Sequence, residues 1–187
     1  MSFRKHNDEG FTGLEAAIVL IAFVVVAAVF SYVVLGAGFF TTQKAQETVY
    51  KGVEQSTANI QMIGNVYGLS TDDGNITRVV FSIGLAPGAP PIDLSKMKIV
   101  FSTPTTGPVI LQQGATSSDT VFTTRLNGNV GFNNQSMNAN DQIEVNFTVV
   151  KVPANTKMNI ELRPSVGAAL PFSKTAPATI AATNVLY

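Results

Sequence analysis

The chain has 187 residues, a length that suits one globular domain plus an additional element. Twelve basic residues balance twelve acidic ones, so the chain lacks the basic excess that nucleic-acid-binding proteins usually carry. It contains no cysteine, which excludes disulfides and thiolate metal sites. An exported domain of this size and composition must be stabilised by its own core, by glycans or by neighbouring subunits.

The N-terminal region changes abruptly from polar to apolar. The first ten residues, MSFRKHNDEG, are mostly polar and charged and end in Gly10. Residues 16–43 contain no charged side chain, and residues 16–40 are almost wholly apolar. A bilayer core needs about 20 such residues in a helix, whereas the apolar region of a secretory signal has about 7–15. The segment is therefore long enough to span a membrane.

The apolar segment continues into a polar stretch that keeps helical spacing. Val49, Val53, Ile60 and Ile63 recur at intervals close to 3.6 residues and form an apolar stripe. The pattern predicts one helix over residues 11–65, roughly 80 Å long at 1.5 Å per residue. A domain of this size cannot cover so long a helix, so its apolar half must lie in lipid or pack on copies of itself.

The rest of the chain shows the period of two that is typical of half-buried strands. Short alternating segments are separated by clusters of Gly, Pro and Asn, and the apolar tail NVLY suggests a docked terminal strand. We therefore predict an α+β fold, in which the long N-terminal helix precedes an antiparallel β-sandwich (Ig-like) or barrel. The predicted parts are a leader at 1–10, the helix at 11–65 and an outer β-domain at 66–187. The clearest alternating segments are residues 79–83, 97–101, 143–150 and 158–162.

The junction between leader and helix carries a specific combination of residues. Gly10 ends the polar leader, Phe11 follows it, and Glu15 becomes the fifth residue if the chain is cut between Gly10 and Phe11. This arrangement resembles the class III signal peptides of type IV pilin-like proteins. The segment FTGLEAAIVLIAFVVVAAVFSYVVLGAGFFTTQKAQETVYKGV is more similar still to the N-terminus of archaeal flagellins (archaellins). The C-terminal stretches PIDLSKMKIVFST, DQIEVNFTVV and VPANTKMNIELRPSVGAALPFSKTAPATI also resemble that family.

The resemblance implies a filament protein that drives swimming. A prepilin-type membrane peptidase would remove residues 1–10 from a precursor held in the cytoplasmic membrane. Many identical copies would then form an extracellular filament, with the N-terminal helices in its core and the β-domains outside. The resemblance also implies an assembly ATPase and a membrane platform as partners.

The role of Glu15 can also be argued from physical chemistry. A carboxylate at the edge of an apolar helix is costly to bury unless it is paired. Cleavage after Gly10 creates a new α-amine on Phe11, on the same helix or on a neighbouring copy. Pairing of Glu15 with this amine would favour one axial register during assembly. The alternative is a carboxylate that lies in the lipid headgroup region and has no part in assembly.

Three N-glycosylation sequons begin at Asn75, Asn134 and Asn146. In an exported protein each is a candidate acceptor, and the sparse charge of the outer domain makes a sugar coat physically reasonable. The acidic turn at residues 71–75 lacks the spacing of a complete calcium loop and is interpreted as an ordinary turn.

Nothing in the sequence points to catalysis or to a cofactor. The only histidine, His6, lies in the leader, and no nucleophile motif, phosphate-binding loop or metal-ligand cluster is found in the sequence. Two alternatives to the swimming filament remain open. A type IV adhesion pilin would share the leader, helix and β-domain, and a bitopic membrane protein with an external binding domain would keep its leader and form no polymer.

Overall fold

The computed structural model describes residues 7–71, 74–126 and 134–187, with the backbone alone for residues 7–11. Its first element is a single helix, α1, that spans Asn7–Thr57 and contains no proline. Threonine hydroxyls along its later turns bond back to carbonyls one turn earlier, as Thr41 does to Ala37 at 2.8 Å. Such bonds satisfy the hydroxyls within the helix itself, so they need no water.

The predicted end of the helix at residue 65 is wrong. The helix ends at Thr57, and strand β1 begins at Ile60, whose side chain is buried in the core of the β-domain. Gly64 has a φ of +75°, a left-handed conformation that no right-handed helix contains. The prediction failed because Ile60 follows Val53 by seven positions, which is close to two helical turns. This spacing arose by coincidence, since Ile60 belongs to a strand. The β-domain therefore begins before the predicted position 66.

Within the described residues, the β-domain consists of strands of 2 to 12 residues and one 3₁₀ turn, Leu94–Lys96, which follows β3. Two of its strands, β3 and β7, form a separate two-stranded pair. The strands are β1 (Ile60–Leu69), β2 (Asn75–Leu85), β3 (Ile92–Asp93), β4 (Lys98–Ser102), β5 (Val109–Gln113), β6 (Val121–Leu126), β7 (Ser136–Met137), β8 (Gln142–Pro153), β9 (Lys157–Arg163), β10 (Leu170–Thr175) and β11 (Thr183–Val185).

The other nine strands form one curled sheet in the order β10-β9-β4-β5-β6-β8-β2-β1-β11. All pairs are antiparallel except β5 and β6. The two ends of the sheet meet, because the amide of Thr175 donates to the carbonyl of Tyr187 at 2.6 Å and the amide of Tyr187 donates back at 3.2 Å. The predicted α+β class is confirmed, and of the two predicted architectures the β-domain takes the closed, barrel-like one.

The core lies inside the curled sheet. The alternating segments predicted from the sequence are confirmed in β2, β8, β9 and, from Lys98 on, in β4, and one side of each of these strands is buried in the core. Several aromatic rings in the core pack against one another in edge-to-face geometry. Phe81 contacts Phe147 at 6.3 Å between ring centroids and Phe172 at 5.4 Å, while Phe101 contacts Phe147 at 5.8 Å. Such edge-to-face pairs add to the free energy gained from burial alone.

Two surface carboxylates predict how the stability of the β-domain depends on pH. The hydroxyl of Ser95 and the ammonium of Lys96 hold the pKa of Asp93 below its ordinary value of 3.8, and the guanidinium of Arg163 lowers the pKa of Glu161 from 4.5. A lowered folded-state pKa contributes stability above the unfolded-state value, and this stability is lost as pH falls through the folded-state value. We expect no change in stability between neutral pH and 4.5, a small decrease below pH 4.5 from Glu161 and a further small decrease below pH 3.8 from Asp93.

Urea unfolding of the full chain in detergent at neutral and acidic pH measures this effect. The Asp93→Asn variant should lose less stability on acidification than the unsubstituted chain does. A urea midpoint that rises on acidification would contradict the prediction.

Candidate functional site

The most unusual surface of the molecule is the apolar part of α1. Over residues Thr12–Thr57 the helix contains an 18-residue window with a mean hydropathy of 3.0, and none of that window is buried. By length and composition this helix could cross a membrane. Its large side chains, including Phe23, Phe30 and Phe39, are exposed on all sides of the helix. A helix that is apolar all round is stable only when lipid or other helices cover it.

One face of α1 carries a shallow groove lined in part by small side chains. Ala27, Ser31, Gly38 and Thr42 lie along this groove. The hydroxyl of Thr42 donates to the carbonyl of Gly38 at 2.9 Å, so it presents little unsatisfied polar surface. Small residues spaced in this way let two helix backbones approach closely, which is how helices associate where no water is present.

The residues predicted for leader cleavage and assembly lie in the first turns of α1. The backbone at Gly10 and Phe11 is helical, and their side chains lie outside the described part of the structure. Glu15 is exposed one turn further on and forms no ion pair within the described residues. Together with Ala16, Val19 and other apolar neighbours, it lines a shallow apolar groove. The carboxylate is thus placed where another helix could contact it.

The three sequons lie in different local environments. Asn75 is half-buried at the start of β2, and its carbonyl accepts the hydroxyl of Ser70 at 2.7 Å. Asn134 is half-buried before β7, and its side-chain nitrogen donates to the carbonyl of Ser136 at 3.0 Å. Asn146 is half-buried in the middle of β8, where its buried side-chain oxygen has no hydrogen-bond partner among the described residues.

The acidic turn contributes no site that can be described, because Asp72 and Asp73 lie outside the described residues. Within the ranges 7–71, 74–126 and 134–187, no cluster of His, Asp or Glu could hold a metal ion.

The sequence patterns did not single out the exposed apolar side chains of the β-domain. In a strand with a period of two, every second residue faces outward. An apolar residue at an outward position would have indicated an exposed apolar side chain. Val150 was such a case, since it shares the outward side of β8 with polar residues. In the described part of the β-domain the exposed large apolar side chains are Tyr67, Ile110, Val150, Val185 and Tyr187.

Comparison with known families decides what kind of protein carries this helix and this β-domain. The model of the archaeal-type flagellin family matches residues 10–174. The chain belongs to the archaeal-type flagellin family. The match begins at Gly10 and ends at Lys174 in β10, so it covers both the apolar helix and nearly all of the curled sheet.

Individual relatives agree with the family assignment along the whole length of this archaeal-type flagellin. A probable flagellin of Archaeoglobus fulgidus is 41% identical over 200 aligned residues, which cover 100% of this chain and 98% of the relative. The structure of the archaeal flagellum of Methanospirillum hungatei matches with a TM-score of 0.74 and 34% identity. That match covers 94% of this chain and 99% of the other. An archaeal flagellin from Methanocaldococcus jannaschii, 16% identical with a TM-score of 0.56, shares the fold over 69% of this chain.

Proposed function

We propose that this archaeal-type flagellin is the structural subunit of an extracellular flagellar filament that drives swimming, and that it has no catalytic role. The observation that carries the proposal is the exposed apolar surface of α1, which must be covered by lipid or by other helices. Similarity to the Methanospirillum hungatei flagellum over 94% of the chain supports identical helices as the covering partner.

The proposed assembly has two stages. In the precursor, α1 lies in the cytoplasmic membrane, and a prepilin-type peptidase cuts between Gly10 and Phe11. An assembly ATPase and a membrane platform then move the helix out of lipid and into a bundle of identical helices. Because the helix passes from one apolar environment to another, close packing of helices, pairing of Glu15 and contacts between β-domains must all contribute to the driving force.

Deletion of the gene tests the proposal against its alternatives. Loss of both the filaments and swimming is the expected result. If deletion removes surface attachment but leaves swimming intact, the chain is an adhesion pilin. Cells that keep the gene test the second alternative: a chain that stays in the membrane fraction at full length and is in no filament is a bitopic membrane protein.

The Glu15→Gln variant tests the proposed role of this carboxylate. The substitution keeps the shape of the side chain but removes the charge that would pair with the α-amine of Phe11. We expect normal folding of the β-domain and normal removal of the leader, but few or no filaments, as counted by electron microscopy of sheared material. Glu54→Gln, on the same helix, serves as the matched control and should assemble normally. Equal numbers of filaments in both variants would show that Glu15 has no part in assembly.

The sequons at Asn75, Asn134 and Asn146 are proposed as glycan acceptors on the outer domain. Their half-buried side chains must each turn outward to accept a glycan, and Asn134 must also release its hydrogen bond to Ser136. Mass spectrometry of peptides from isolated filaments identifies which of the three sites carry sugar.

A further inference from the structure

The exposed large apolar side chains of the described β-domain fall into two groups at different positions around the outside of the curled sheet. Tyr67, Val185 and Tyr187 are 39%, 38% and 77% exposed, and Ile110 and Val150 are 52% and 59% exposed. Contiguous exposed apolar patches on soluble domains often mark surfaces that bind a partner. We propose that the first group in one subunit docks into a cleft beside the second group in the next subunit. This inference rests on the proposed function and specifies contacts between the β-domains of the filament.

The first group, the tyrosine face, lies on β1 and β11. Tyr67 and Val185 are direct cross-strand partners, and both point outward. Tyr187 lies two residues beyond Val185 and therefore on the same side of its strand. Its backbone is fixed by the pair of hydrogen bonds to Thr175, while its ring is the most exposed large side chain of the three. The tyrosine face thus presents an aromatic ring on a fixed backbone.

The second group borders a gap in the sheet, the β5–β8 cleft. Strand β6 pairs with β5 only at Gln112 and Gln113, and it pairs with β8 no further than Phe147 in that direction. Beyond these residues, no described strand lies between β5 and β8. A cavity of about 150 Å³ occupies the gap. Its apolar wall consists of Phe101, Val109, Leu111, Phe147, Val149 and Val150.

The size and chemistry of the cleft fit a tyrosine ring. An apolar cavity of about 150 Å³ takes a benzene-sized guest. Thr106, Asp119, Thr120 and Thr148 share the wall with the apolar residues, so the phenol hydroxyl of a bound tyrosine has oxygen acceptors within the same cleft. A tyrosine bound in this way would bury its ring and still satisfy its hydroxyl.

Charge also matches across the proposed contact. Thr175 pairs with Lys157 on one side and with Tyr187 on the other, so the exposed Lys157 lies in the same row as the tyrosine ring. The carboxylate of Asp119 belongs to the wall of the cleft and is exposed. Opposite charges beside an apolar contact favour the correct orientation of two partners.

The positions of the two surfaces determine what kind of assembly they form. Strands β8 and β2 separate the cleft from the tyrosine face in one direction around the sheet, and β4, β9 and β10 separate them in the other. A chain therefore cannot fill its own cleft with its own Tyr187. Contacts between two different surfaces are head-to-tail, and they continue from copy to copy instead of stopping at a dimer.

A pair of cysteines tests the contact directly, because the chain has none of its own. Filaments of the double variant Tyr187→Cys, Thr120→Cys should give a ladder of disulfide-linked oligomers after mild oxidation, since each chain carries both halves of the contact. Either single variant should give dimers at most. The matched control combines Tyr187→Cys with Lys98→Cys, an exposed site on β4 away from the cleft, and should give no ladder.

The proposed contact would be overturned if the Tyr187→Cys, Thr120→Cys variant formed intact filaments that gave no ladder. It would also be overturned if the control variant gave a ladder. Failure of the proposed function is a different result: cells with the unsubstituted gene would then make no filament that contains this chain. Should the double variant not assemble, nitration of unsubstituted filaments provides the second measurement. Tyr187 should be nitrated in subunits dispersed by detergent and should lose that labelling in filaments, and equal nitration in both states would rule the contact out.

Discussion

Replacing Gly167 with alanine should cause one of the largest losses of stability that a single methyl group can cause in this β-domain. Gly167 has a φ of +101°, and a Cβ there would lie 1.8 Å from the carbonyl oxygen of Ala58. The left-handed conformation alone costs about 1–3 kcal/mol for other residues. The overlap involves backbone, which no side-chain rotation relieves. We expect a loss of about 3 kcal/mol or more, which lowers the Tm by roughly 10 °C in a domain of this size.

A second glycine in the same domain serves as the matched control. Gly88 also has a positive φ, of +82°, but an added Cβ there would meet no atom within 4 Å. Gly88→Ala therefore carries the conformational cost without the overlap, and the difference between the two variants isolates the contact with Ala58. Thermal unfolding of the full chain in detergent, followed by near-ultraviolet circular dichroism, measures both. A Gly167→Ala variant no less stable than Gly88→Ala would contradict this description of the contact.

Removal of Leu186 and Tyr187 should open the curled sheet. Leu186 is buried, and its amide donates to the carbonyl of Val66 at 2.9 Å. Tyr187 makes the two backbone hydrogen bonds to Thr175 that join the ends of the sheet. Loss of the leucine costs about 2–5 kcal/mol and each hydrogen bond about 0.5–1.5 kcal/mol. Together these losses approach the whole stability of a typical domain, about 5–15 kcal/mol.

The truncated chain should therefore be largely unfolded or aggregated, because its opened sheet also exposes unpaired edges of β10 and β11. Tyr187→Ala is the control, since it keeps the backbone and removes only an exposed ring. We expect its stability to stay within about 0.5 kcal/mol of the unsubstituted chain. Protease resistance of the two variants in detergent distinguishes them, and a truncated chain that resists protease as well as Tyr187→Ala does would refute the role of the C-terminus in closing the sheet.

The sequence predicted correctly those elements whose order of apolar and polar residues is determined by burial alone. Strands β2, β4, β8 and β9 have one face on the core and one in solvent, so their apolar residues alternate. The apolar part of α1 was equally clear, because no alternative structure accommodates so long an uncharged run. Both patterns are local and need no knowledge of neighbouring strands.

The features that the sequence did not predict depend on long-range contacts. Strand β6 buries Thr124, whose hydroxyl donates to the carbonyl of Asn134 at 2.8 Å, so its residues do not alternate between apolar and polar. Strand β10 contains Pro171, a residue type that is rare inside strands. The end of α1 was missed because pairing of β1 with β2 and β11 overrides a weak helical stripe.

The candidate site also has a part that the sequence could predict and a part that it could not. Gly10, Phe11 and Glu15 could be proposed from the order of residue types alone, since the leader and the apolar run are continuous in sequence. The tyrosine face and the β5–β8 cleft could not, because Tyr67 and Val185 become neighbours only when β1 pairs with β11. The cleft exists only because the parallel pairing of β5 with β6 stops after two residues.

The most direct test of a cleaved, polymerising subunit is to determine the N-terminus of the chain in filaments sheared from cells. Electron microscopy of this material should show helical filaments, and mass spectrometry should find this chain starting at Phe11. A chain that starts at Met1 and is found only in the membrane fraction would contradict both the cleavage and the polymer.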